Sequence, residues 1–130
     1  MNRRYQMKEI ATDKAPAAVG PYSQAIDCGD TVYLSGQIPL DPSTGVLVDG
    51  GIETQARRMF ENIGAVLEKA GLTFKNVVKT TVFLTDIGDF AALNKVYGEY
   101  FSEPYPARSC VEVSNLPKGA KAECECIARR

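Results

Sequence analysis

The chain predicts an α+β fold in which two helices pack on one face of a mixed β-sheet. Three observations carry this. Apolar residues recur at helical spacing in two segments, one from Ile52 and one after Asp86. Stretches rich in β-branched residues, of strand length, stand before, between and after them. In the last such stretch Ala122, Cys124, Cys126 and Ala128 share one side, small enough for a helix to approach closely. With 130 residues the chain can bury a core without crosslinks, so residues 1–130 read as one domain, with 1–6 as a flexible N-terminal arm.

Taken in order, Met7 to Ala11 suits an edge strand. Ser23 to Cys28 and Thr31 to Ser35 flank Gly29-Asp30, a two-residue hairpin turn. DPSTG and DGG mark Pro39 to Gly51 as a loop. Ala56, Met59, Phe60, Ile63, Val66, Leu67 and Ala70 make one face of a helix that Gly71 stops. VVKTTVFLT, Val77 to Thr85, reads as a central strand. Asp86 or Asp89 caps a second helix with Phe90, Leu93, Tyr97, Tyr100 and Phe101 as its buried arc, and Asn94 lies about 40° from Phe90 at the rim. Ala107 to Val113 and Lys121 to Ala128, joined by SNLPKGA, read as the last two strands, paired as a hairpin centred near Pro117. The sheet face away from the helices is the more polar one and needs a cover, and a homo-oligomer is one way to supply it.

Composition narrows the chemistry. Apolar residues at 45%, charged residues at 24% and a net charge of −1 describe an ordinary globular chain with no general attraction to polyanions. No window approaches the roughly 20 apolar residues of a membrane span, so a cytoplasmic location is expected. The four cysteines, Cys28, Cys110, Cys124 and Cys126, have neither CxxC nor framework spacing and read as reduced thiols, with no metal site expected. The chain has no histidine, so proton transfer near neutral pH falls to Glu, Asp, Tyr, Lys, Cys, water or substrate.

Within YPARSCVEV, Arg108 stands two residues behind Pro106 among small neighbours. Two readings compete. An ion pair with Glu112, Glu123 or Glu125 on a solvated face is one; the other is a planar fork for a substrate carboxylate, since guanidinium offers two parallel donors to two carboxylate oxygens. Glu123 stands near Lys121 and Lys118, and an ion pair with either is one reading of it.

GPYSQAI (Gly20 to Ile26), YLSGQIPLDPSTG (Tyr33 to Gly45), VVKTTVFLTDIGDFAALN (Val77 to Asn94) and YPARSCVEVSNLPKGAKAECECIA (Tyr105 to Ala128) resemble the reactive intermediate deaminase family, the YjgF-like group, in its RidA branch. The likeness runs in register from about Ile10 to Ala128. It implies a chorismate-mutase-like fold, a homotrimer with sites at subunit interfaces, no cofactor, and hydrolysis of 2-aminoacrylate and related enamines or imines to 2-keto acids and ammonia. By motif it implies Arg108 and Glu123 as catalytic residues, with Tyr22, Ser35, Asn94, Arg108 and Cys110 binding substrate. Ala122 and Cys124 stand where the family commonly carries aliphatic residues. The resemblance leaves a second reading open, a trimer that binds a 2-keto acid without turning it over. A ribonuclease role would call for a basic track with interleaved aromatics, whereas Arg57, Arg58, Lys69 and Lys75 alternate with Glu53, Glu61 and Glu68.

Overall fold

A computed structural model describes residues 6–130; apart from Gln6, the expected arm at 1–6 lies outside the described residues. The strands are β1 (Lys8–Ile10), β2 (Ala25–Asp27), β3 (Thr31–Gln37), β4 (Val77–Leu84), β5 (Ala107–Glu112) and β6 (Ala122–Arg129). The helices are α1 (Ile52–Lys69), between β3 and β4, and α2 (Phe90–Tyr100), between β4 and β5. They form one six-stranded sheet in the order β1-β2-β3-β6-β4-β5. Among the described residues only the β4 and β5 pair is parallel, and α2 is its crossover.

The predicted hairpin of the last two strands does not form. β4 lies between them, parallel to β5 and antiparallel to β6. The reason is burial: Val77, Thr80, Val82 and Leu84 are buried, and a stretch that apolar is most stable with a neighbour on each edge. The lateral alignment survives the insertion. Arg108 stands level with Cys126 through Thr80, and Val111 level with Glu123 through Phe83.

Both helices pack on the face formed by Val32, Leu34, Val82, Cys124 and Cys126, and the core closes around Met59, Phe60, Ile63 and Leu67 of α1 with Leu93, Val96 and Tyr97 of α2. Ala122, Cys124, Cys126 and Ala128 are all buried there. Small side chains on β6 let α1 sit close over the middle of the sheet. Gly71 follows α1 at φ +77°, a left-handed stop that favours glycine. The buried arc of α2 differs from the expected one. It centres near Leu93, roughly 60° away from Phe90 on the helical wheel, so Val96 is fully buried while Phe90 is 37% exposed. Asp86 caps only the short 3₁₀ turn before the helix, accepting from the Gly88 N–H, and Asp89 occupies the α2 N-cap without a side-chain bond.

Three buried polar side chains tie the loops to this core. Asn62 on α1 donates to the carbonyls of Ile38 and Leu40, at 3.2 and 3.0 Å, and so holds the long loop down. Gln24 accepts from the Thr12 N–H and donates to the carbonyls of Thr12, Ala15 and Pro16, fixing the chain that leads into β2. Asp27, at the hairpin where Gly29 adopts φ +101°, accepts from the Gly29 N–H at 2.8 Å and from Arg130 near the end of β6.

The Gly29 N–H and then Arg130 hold the Asp27 carboxyl below its ordinary range. A folded pKa below the unfolded one adds stability that is complete above about pH 4 and is lost as pH falls through the folded value. Asp27→Asn should therefore lower the unfolding free energy at pH 7 by roughly 1–3 kcal/mol, and the gap should close on acidification in chemical denaturation. An equal penalty at pH 2 and pH 7 would show that the charge is not what Asp27 contributes.

Candidate functional site

Arg108 rises from β5 on the helix-bearing face, not onto a solvated one. Its Nη1 donates to Asn94 Oδ1 at 2.7 Å. The guanidinium carbon stands 4.7 Å from the centre of the Tyr97 ring and 5.4 Å from that of Phe90. Phe90, Asn94 and Tyr97 are spaced i, i+4, i+7, so one stripe of α2 presents all three to the arginine. Arg108 makes no salt bridge to any acidic group among the described residues. Glu112, a partner the sequence offered, instead accepts from the Ile87 N–H at 2.8 Å. Glu123 and Glu125 lie on the other side of the sheet, because β6 buries the alternate positions Ala122, Cys124 and Cys126 beneath the helices.

Above the guanidinium opens a groove of about 440 Å³ lined by Asn94, Tyr97, Gly98, Tyr105, Pro106 and Arg108. A guanidinium is donor only, so the oxygen of the Asn94 amide must face it and the Nδ2 group is left to donate elsewhere. A partly buried cation, a second donor and aromatic walls make a cradle for a small carboxylate. Cys110, two residues along β5 on the same face, packs against the core, and burial pushes its thiol above its ordinary pKa. A thiol held that way is a poor nucleophile.

Glu123 occupies a different setting on the helix-free face. β3 carries a bulge between Leu34 and Gln37 where it pairs with β6, and the Glu123 side chain lies over Gly36 within it. A β-carbon at position 36 would stand 2.9 Å from the Glu123 Cδ and overlap its Oε2. Burial, with Glu125 adding to it, holds the Glu123 carboxyl above its ordinary range. Neither Lys121 nor Lys118 forms a salt bridge with it. Ser35 sits next to Gly36 and donates its hydroxyl to the Ser23 carbonyl at 2.6 Å, which leaves its oxygen free to accept. Tyr22, 51% exposed, stands in the turn leading to β2.

A single chain thus brings Arg108, Asn94 and Cys110 together and keeps Glu123 and Ser35 on the opposite face. Through β4 the two residues stand three positions apart along the ladder, an odd number, so the pleat puts their side chains on opposite faces. Sequence reasoning also missed Tyr97 and Phe90 as walls of the arginine site, having assigned both to the core, although their helical spacing with Asn94 was readable. Gly36, just past the expected end of its strand at Ser35, was given no role, whereas β3 runs on to Gln37.

Residues 12–130 match the family model described as Endoribonuclease L-PSP. The chain is 50% identical over 121 residues to the 2-iminobutanoate/2-iminopropanoate deaminase of Mus musculus, covering 93% of this chain and 90% of that protein. Among solved structures, RidA from the Antarctic bacterium Psychrobacter sp. PAMC 21119 superposes with a TM-score of 0.91 at 53% identity, covering 95% of this chain and 99% of that one. E. coli TdcF with bound serine superposes with a TM-score of 0.89 at 48% identity, covering 95% and 98%. With the family model, the curated relatives and the solved structures each matching nearly the whole chain, the chain belongs to the YjgF-like reactive intermediate deaminase family, whose model carries the description Endoribonuclease L-PSP.

Proposed function

We propose that this protein is a 2-iminobutanoate/2-iminopropanoate deaminase, which hydrolyses 2-aminoacrylate and related enamines or imines released by pyridoxal-phosphate-dependent dehydratases. The observation that carries this reading is Arg108, a partly buried cation without an acidic partner, held by Asn94 at the floor of an open groove. The naming of the mouse relative and the serine bound to E. coli TdcF, a small amino acid with one carboxylate, support the same substrate class.

In this reading the substrate carboxylate takes the free donors of Arg108, with Asn94 Nδ2 beside them, and the clamp fixes which face of C2 meets water. The enamine tautomerises to the imine by gaining a proton at C3 and losing one from nitrogen. Water adds to C2, and Glu123 accepts its proton. That proton passes to the nitrogen to give a carbinolamine; Glu123 then takes the hydroxyl proton and delivers it to the nitrogen, the C–N bond breaks as the carbonyl forms, and a 2-keto acid and ammonia leave. A carboxyl raised toward neutrality suits both the accepting and the donating step. Ser35, its own proton committed to Ser23, can accept from an imine N–H, and Tyr22 covers the substrate. Cys110 contributes backbone contact.

Because Arg108 and Glu123 leave one chain on opposite faces, the working site needs two copies, the groove of one facing the glutamate of the next. Two different patches meeting head to tail build a closed ring, and a homotrimer is the ring we propose. A non-catalytic 2-keto acid sensor would use the same clamp and is separated by turnover. RNA cleavage finds no support in the charge pattern, since Arg57 pairs with Glu99 and Glu53, and Lys95 with Glu53.

Three outcomes are expected. In an assay where a serine or threonine dehydratase generates the imine, wild type should speed keto acid and ammonia release. Arg108→Ala should lose roughly 10²-fold or more in kcat/KM, and Glu123→Gln should lose turnover while remaining folded. Wild type that binds pyruvate without any acceleration would make the protein a sensor. Mixed, refolded Arg108→Ala and Glu123→Gln chains should regain activity, up to about a quarter of wild type for random assembly, because some interfaces unite two intact halves; no recovery would place both groups in one chain's site. Gly36→Ala should cost less than about 1 kcal/mol in stability, since the flexible end of Glu123 can move aside, yet abolish turnover and lower the Glu123 pKa seen by carboxyl NMR titration. Full activity in that variant would remove the glutamate cradle from the mechanism.

A further inference from the structure

Beneath the Arg108 guanidinium lies a buried hydroxyl pair. Thr80 on β4 is fully buried and is the direct parallel-register neighbour of Arg108. Its hydroxyl shares a hydrogen bond of 2.8 Å with the Tyr97 hydroxyl, either group able to donate. Tyr97, 6% exposed, turns the face of its ring to the guanidinium. Phe60 meets the same ring edge-on at 5.7 Å and Phe101 lies tilted against it at 4.4 Å. Burial keeps the phenol above its ordinary pKa, so the ring stays neutral under the cation.

We propose that Tyr97, pinned from behind by Thr80, is the positioning residue of the carboxylate clamp: its ring face sets the plane of the Arg108 guanidinium and therefore the direction of its free donors. The inference rests on the carboxylate reading above. An arginine side chain has about 2 kcal/mol of rotamer entropy to lose, and the one hydrogen bond to Asn94 leaves the guanidinium able to swing about that contact. A ring face supplies the second constraint, and two constraints define a plane. Phe90, 37% exposed at the end of α2, is the looser of the two walls. A phenylalanine and a valine would fill the same volume as Tyr97 and Thr80 and remove the need to satisfy two buried hydroxyls. What the hydroxyl pair adds is the angle of the ring relative to the strand that carries Arg108.

Two double variants avoid an orphaned hydroxyl. Tyr97→Leu with Thr80→Val removes the ring face, while Tyr97→Phe with Thr80→Val keeps the ring and removes its anchor. Calorimetry with pyruvate and with uncharged pyruvamide reads the clamp directly, and the coupled assay adds kcat and KM. The leucine pair should weaken pyruvate roughly 3- to 30-fold with pyruvamide unmoved, the phenylalanine pair should show a smaller loss, and KM should rise more than kcat falls. Equal losses for pyruvate and pyruvamide, or wild-type pyruvate binding in the leucine pair, overturn the inference. If the leucine pair does not fold, NMR of wild type decides. The Arg108 Nε–H signal, assigned by Arg108→Lys, should be ring-current shifted, motionally restricted and perturbed by pyruvate, and a freely rotating, unshifted signal overturns the proposal. Wild type that binds no pyruvate fails the carboxylate reading itself and takes the inference with it.

Discussion

A β-sheet has two faces, and this chain has helices for one of them. α1 and α2 both lie over Val32, Leu34, Val82, Cys124 and Cys126, and the other face keeps Tyr33 and Val111 half exposed between Glu123, Glu125 and Ile127. That asymmetry divides the chemistry. Side chains on odd and even positions of β5 and β6 go to different environments, one walled by α2 and one open to whatever approaches the sheet. Arg108 takes the first and Glu123 the second. The separation follows from the pleat alone, and it is why the proposed reaction requires a second copy.

On the helix side the cost of a partly buried charge without a counter-ion is met by softer contacts. The rings of Tyr97 and Phe90 and the Asn94 oxygen each favour the cation, without neutralising it as a carboxylate would. An arginine held in this way keeps its appetite for an anion. On the open side Glu123 has no salt-bridge partner among the described residues, and burial beside Glu125 raises its pKa. Gly36 leaves it room to lie against β3. Each half is left electrostatically unsatisfied by its own chain, and sites built for chemistry share that property.

The helices and strands were legible because they rest on period. Met59, Phe60, Ile63, Val66 and Leu67 repeat at helical spacing and are buried, and the alternation of β6 assigns its small residues to the core. Arg108, Asn94 and Glu123 stood out by residue type within a motif. Period also carried more than was drawn from it: Phe90, Asn94 and Tyr97 lie on one helical stripe, and that stripe proved to be the wall of the arginine groove.

Strand neighbours were a different matter. Nothing local in the final two strands says that β4 will enter between them, since the preference arises from how much apolar surface β4 can bury when paired on both edges, a property of the assembled sheet. The rotation of α2 that exposes Phe90 and buries Val96 depends likewise on where α1 already lies. By itself the sequence determined the two helices, the strand segments and the small-residue face of β6, because those follow from side-chain period and type. Only the tertiary structure decided which strands adjoin, what surrounds Arg108 and that Glu123 stands on the far side of the sheet, because those depend on contacts between residues far apart in the chain.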